Sequence, residues 1–157
     1  MPGRRGLNAS NLSAFSELIP LDRGLCVVST VRPDGNVHSS VANAGVLAHV
    51  ASKNTVVGFA AMGSSQKLRH LRADPHITVV ARAGLRWAAV EGYAEIIGPD
   101  DPSPHMDDES LRQLLRGVFV AAGGTHHDWD AYDRVMVQDR RAAVLVTPRR
   151  VYTNPSR

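Results

Sequence analysis

The chain is poor in the features that mark many small-protein chemistries. Its one cysteine, Cys26, can form no internal disulfide, and its place inside an apolar run reads as a buried thiol in a reducing compartment. Aromatic residues make up only 5% of the sequence, so the core must rest on aliphatic packing. No apolar stretch approaches the roughly 20 residues that span a bilayer, and no secretory-type apolar run follows Met1-Pro2-Gly3-Arg4-Arg5. The expectation is a cytoplasmic protein with no membrane partner. Neither a Gly-x-x-x-x-Gly-Lys-Ser/Thr loop nor a Gly-x-Gly-x-x-Gly turn is present, so any nucleotide must be held by other means. A Gly-x-Ser-x-Gly elbow and a His-Glu-x-x-His pair are missing too, which removes the common hydrolase signatures. Basic residues are not interleaved with aromatics, so nucleic acid is not an expected partner.

What is present describes one domain, residues 1–157, with residues 1–10 as a flexible arm. A hydrophobic fraction of 43% argues against disorder. Ser10 or Asn11 is placed to cap a short helix through Leu18. Leu25–Val31 (LCVVSTV) is rich in β-branched residues, and Arg32-Pro33-Asp34-Gly35 is a turn leading to a return strand over Asn36–Ala42. Gly45–Ala51 and Thr55–Ala61 form a second strand pair around Ser52-Lys53-Asn54. A helix capped by Ser64 or Ser65 runs to about Arg72, with Leu68 and Leu71 facing the core, and Asp74-Pro75 stops it. His76–Arg82 and Leu85–Ile97 are strands, and Gly92 inside the second marks a bulge or a close backbone approach. Helices follow over about Glu109–Ala121 and Trp129–Gln138. Ala142–Thr147 is a final strand that Val151 and Tyr152 continue after Pro148. Six strands with hairpin links and few helices predict a mainly β barrel or sandwich rather than a parallel doubly wound sheet.

The net charge of +3 says little as a total. Its distribution says more: Lys67, Arg69, Arg72, Arg82 and Arg86 fall close together, while Asp100, Asp101, Asp107, Asp108 and Glu109 gather further on. Unpaired N–H groups at a helix start, with Lys67 beside them, make an anion site, and Arg69 and Arg72 share one helix face. The competing reading is a solvated face with scattered salt bridges. In Gly123–Trp129 (GGTHHDW) the glycines and Asp128 suit a helix stop and the next helix's cap; ligand contact and metal ligation by His126, His127 and Asp128 are the alternatives. Ser29, Thr30, Ser39 and Ser40 lie on strands as hydroxyl donors, and alternation sends only some of them inward. Trp87 either plugs the sheet or stacks a planar ring. Glu91 either faces solvent or pairs with an arginine.

Together, the runs STVRPDG (29–35), KLRHLRADP (67–75), VEG (90–92), GGTHHDW (123–129), RRAAVLV (140–146) and RVYTN (150–154) resemble the pyridoxamine-5′-phosphate-oxidase-like flavin and deazaflavin oxidoreductases. Within that group they look most like the branch that uses coenzyme F420. The resemblance covers about Leu25 to Asn154. It implies a six-stranded antiparallel split β-barrel and a homodimer with cofactor grooves at its interface. It also implies hydride transfer between reduced F420 and a small unsaturated or planar organic substrate. By the same resemblance, Lys67 holds the cofactor's phosphate or nearby polar tail, with Arg69 and Arg72 on the same segment; the sequence places Arg86, with Arg82, on neighbouring strands from which it would join this cationic set. Val28, Ser29, Thr30, Ser39 and Ser40 line its ring or ribityl chain. Position 70 is His where many relatives have Asn. FMN is the rival cofactor, and a flavin or deazaflavin carrier without turnover is the rival function.

Overall fold

Alternation along Leu25–Val31 (β1) sets the frame: Cys26, Val28 and Thr30 point inward and are buried, while the residues between them face out. A computed structural model describes residues 9–104 and 106–154. It contains a helix over Ala9–Leu18 (α1), a 3₁₀ turn over Ile19–Asp22, and then β1. Next come strands Val37–Ala48 (β2) and Thr55–Ala61 (β3), a helix over Gln66–Ala73 (α2), and strands His76–Ala83 (β4) and Arg86–Ile97 (β5). Helices Asp108–Ala121 (α3) and Trp129–Gln138 (α4) precede the last strand, Ala142–Thr153 (β6). The strands close into an antiparallel barrel in the order β1-β2-β3-β6-β5-β4, one of the two architectures the strand count allows and the split barrel that the resemblance implies. Among the described residues no helix is long and apolar enough to cross a membrane.

Two cores share the barrel wall. The interior is mainly aliphatic around the rings of Phe15 and Phe59, with Val28, Val57, Val79, Val90, Val144 and Val146 essentially inaccessible. The second lies outside the wall, where Leu114, Leu115 and Val118 of α3 pack on Val56, Ile97, Ala143 and Leu145. β3 and the first half of β6 are therefore covered on both faces, which is why VVGFAA and AAVLV are unbroken apolar runs. Full burial of each such Val or Leu contributes about 1.5–3 kcal/mol. β1 and the first half of β2 have no such cover, while α3 also packs on the second half of β2, at Gly45 and Leu47. Val27 and Val41 are cross-strand partners on the outer face, as are Val31 and Val37, and Val27, Val37 and Val41 stay exposed.

Four expectations change. β2 is one strand of 12 residues, where the sequence suggested a break around Asn43-Ala44: the chain passes from the β1 pairing to the β3 pairing without a turn. α1 already runs through Ser10 and Asn11, so neither begins it. Ser65 has N-cap backbone geometry at α2, but its side chain makes no capping bond. Glu91 neither stands free nor pairs with an arginine; it accepts a 3.2 Å hydrogen bond from the Tyr152 hydroxyl. Residues 1–8 of the expected N-terminal arm lie outside the described residues.

The Gly92 expectation holds. The β5–β6 register shifts between Glu91 and Gly92, and a Cβ on Gly92 would sit 2.1 Å from the Thr147 carbonyl oxygen. Backbone does not yield like the tip of a flexible side chain. Gly92→Ala is therefore expected to destabilise the fold by about 2 kcal/mol or more, read as a lower urea midpoint. An unchanged midpoint would show that the bulge relaxes freely.

Candidate functional site

α2 starts where β3 leaves the barrel, and its first turn carries the chemistry. Leu68 and Leu71 anchor the helix in the core, together with His70, which is 8% exposed and shares a 2.9 Å hydrogen bond between its Nδ1 and Thr30 Oγ1. His70 thus answers the buried Thr30 hydroxyl and fixes the roll of the helix. That roll turns Lys67 toward β2, where its ammonium donates a 3.0 Å hydrogen bond to Ser40 Oγ. Among the described residues no carboxylate lies within salt-bridge distance of Lys67. Burial, and secondarily the nearby Arg141 guanidinium, lowers the Lys67 pKa from its usual value. A half-buried cation repelled by a second cation favours an anion between or beside them.

Lys67 and Arg141 both line a cavity of about 450 Å³ with Ser64 and Ser65. Ala60 and Ala61 give it a floor of small side chains, while Phe119 and Tyr132, from α3 and α4, supply aromatic walls. Ser65 Oγ is buried here with no hydrogen-bond partner. A hydroxyl left so costs about 1–3 kcal/mol unless something binds it. The start of α2 adds its own unpaired N–H groups. A cofactor with an anionic group at one end and a flat ring beyond it fits this donor set, because Ser65 gains a partner and Lys67 a counter-charge.

The other sequence-derived site residues divide. Val28 has its side chain wholly inside the barrel. Ser29 and Ser39 hydrogen-bond each other at 2.8 Å on the outer face, and Ser29 and Thr30 border a separate groove of about 610 Å³ that reaches Glu91, Tyr93 and Arg149. Arg69 is exposed and donates to the Ser64 carbonyl at 3.4 Å. Arg72 grips Asp101 with two hydrogen bonds of 2.9 and 2.6 Å. Arg86 starts β5 and approaches Glu17 of α1 at 4.0 Å, and Arg82 donates to the Gly84 carbonyl. The cationic run from Lys67 to Arg86 is therefore not one patch. The acids that look displaced in the sequence return in space: Asp101 to Arg72, and Asp100 to Arg140, whose guanidinium holds the Asp100 carboxyl below its ordinary range.

Sequence reasoning missed Arg141, Phe119 and Tyr132 as pocket residues, and saw Ser65 only as a cap. No local signal marks them, since they reach the cavity from separate elements through tertiary packing. Asp128 caps α4 by accepting from the Ala131 amide, and His126 Nδ1 accepts from the Asp128 amide. Trp87 is half-buried and meets Tyr152 edge-on rather than plugging the core.

A family model described as pyridoxamine 5′-phosphate oxidase matches residues 13–154. Solved structures share the fold at low identity. A conserved hypothetical protein from Mycobacterium tuberculosis is 21% identical with a TM-score of 0.61, over 87% of this chain and 81% of that one. An F420 reductase is 19% identical with a TM-score of 0.58, over 88% and 95% of the two chains. A Clostridium acetobutylicum protein related to general stress protein 26 is 13% identical with a TM-score of 0.62, over 94% and 90%.

Ser65→Ala tests the orphaned hydroxyl directly. Without ligand, the variant is expected to match the parent or exceed its stability by about 1 kcal/mol in urea unfolding. A clear loss would mean that Ser65 already has a structural partner.

Proposed function

Because the chain belongs to the pyridoxamine 5′-phosphate oxidase family, we propose that it is an oxidoreductase. In this reading it transfers a hydride between reduced coenzyme F420 and a small planar or unsaturated organic substrate. The observation that carries the reading is the pair formed by the partnerless Ser65 hydroxyl and the half-buried Lys67 ammonium in one cavity. Lys67, Ser65 and Arg141 would hold the anionic end of the cofactor, and the Ala60–Ala61 floor leaves room for its ring. When bound, the (deaza)flavin ring supplies the hydride chemistry. The protein's part is binding, orientation and exclusion of water. Tyr132 has no spare proton for this: it is buried, its hydroxyl donates to the Leu115 carbonyl at 3.0 Å, and burial pushes its pKa up.

FMN is the second reading, and a specific observation favours it. With Arg72 engaged by Asp101 and Arg86 near Glu17, the cavity offers Lys67 and Arg141, a set suited to one phosphate as well as to a longer acidic tail. The F420 reading draws support from the sequence resemblance and from the F420 reductase that shares the fold.

A homodimer belongs to the same proposal. The outer ladder of Val27–Val41 and Val31–Val37 leaves apolar side chains in water, with Val37 at 63% exposure and Val41 at 61%. A second copy seated there would bury them.

Two outcomes are expected. Lys67→Ala should raise the dissociation constant for F420, or for FMN, roughly tenfold or more, as loss of a charge-assisted hydrogen bond does, with little change in urea midpoint. Equal affinity in parent and variant would remove Lys67 from the site, and binding of neither cofactor would defeat both readings. F420 held without turnover of enones or quinones would point to a carrier. Val27→Lys, outside the cavity, should turn a dimer into a monomer in sedimentation velocity; a parent that sediments as a monomer would defeat the dimer.

A further inference from the structure

The Gly123–Trp129 segment does not line the cavity, but it holds a residue that does. Phe119, half-exposed near the end of α3, forms part of the cavity wall. Trp129 meets its ring edge-on with centroids 6.0 Å apart and planes at 90°, His126 approaches at 6.3 Å, and Tyr132 lies tilted at 5.0 Å. The brace is itself anchored. The Arg116 guanidinium sits 5.3 Å over the Trp129 ring and forks onto Asp133, with its Nε at 2.9 Å, which ties α3 to α4.

Gly124 completes the brace by having no side chain. A Cβ there would stand 2.6 Å from two atoms of the Phe119 ring and 2.7 Å from a third. Its backbone is outside the left-handed region that favours glycine, unlike Gly123 at φ 92°. The glycine at 124 therefore answers a demand for space from one ring. The braced Phe119 ring, the small Ala60 and Ala61 side chains and the Lys67 and Arg141 cations line one cavity.

We propose that Phe119 is a specificity-determining residue that takes the face of a flat conjugated ring, and that Gly124 is the positioning residue that sets its pose. The inference rests on the cavity being the ligand site, not on which cofactor fills it. The flat ring belongs either to the cofactor or to the substrate, and the test separates them.

Trp129 is the built-in reporter. Trp87→Phe removes the other tryptophan, leaving Trp129 to respond to ligands beside Phe119. In that background, Trp129 fluorescence is titrated with FMN, with F420, with the flat quinone menadione, and with the puckered ketone camphor as a shape control. Phe119→Leu keeps an apolar side chain but loses the ring. It should weaken at least one flat ligand roughly three- to tenfold, the range of an aromatic contact, while camphor affinity changes less than twofold. The flat ligand that carries the penalty identifies the source of the ring. Gly124→Ala should displace the Trp129 emission maximum without ligand and weaken the same flat ligand. Flat and puckered ligands weakened alike by Phe119→Leu, or no flat ligand weakened, would overturn the specificity role. An unmoved Trp129 spectrum in Gly124→Ala would overturn the positioning role. If neither cofactor binds the parent, the redox reading falls while the menadione arm still decides the role of Phe119.

Discussion

Closure of the barrel by its last strand is the constraint on which the rest depends. β1 through β3, and β4 with β5, are each joined through short connections, but β3 and β5 remain open edges until β6 fills both. β6 is suited to that position because its first five residues are buried on both faces, against the barrel interior on one side and the α3 layer on the other. Closure also shapes the cavity. Arg141 directly precedes β6, so the pairing that seals the barrel carries a guanidinium into the cavity that Lys67 lines. The Gly92 bulge serves the same pairing by letting the β6 backbone at Thr147 pass β5 at close range.

The electrostatics sort cations by what faces them. Arg72 has Asp101, Arg140 has Asp100, and Arg112 and Arg116 share Asp133. Pairs this near the surface add little to stability, yet they remove those guanidiniums from competition for a ligand. Lys67 is different: its polar contact is the Ser40 hydroxyl, its surroundings are partly dry, and its charged neighbour in the cavity is another cation. An anion placed there would pull its lowered pKa back up. Arg141 is only loosely tied to Asp139, at 3.4 Å, which leaves it able to turn toward such an anion.

How much of this the sequence discloses depends on contact range. β1, β3, α4 and the Gly92 irregularity can be read locally, because β-branched runs, turn residues and a lone strand glycine act over a few positions. The length of β2 cannot, since its second half is held by β3 rather than by any change of pattern at Asn43. Lys67 stands out as a lysine at a helix start. Ser65, Arg141 and Phe119 do not, because each reaches the cavity from a different element and only packing joins them. The acidic cluster shows the converse error: distance along the chain between Arg72 and Asp101 hides a direct ion pair.

The two outer faces of the barrel have opposite fates, and the cavity lies where they meet. α3 covers β3, β6 and the second half of β2, while β1 and the first half of β2 present the bare valine ladder. Val41 belongs to both features: it is 61% exposed on that ladder and it lines the cavity beside Lys67 and Phe119. A partner seated on the ladder would therefore also wall the cavity on its open side. A second copy in that position would exclude water from the cavity and lower the local dielectric. Lys67 would then hold an anion more tightly than any single chain can. Assembly and ligand affinity would then be one equilibrium, each strengthening the other by the same free energy.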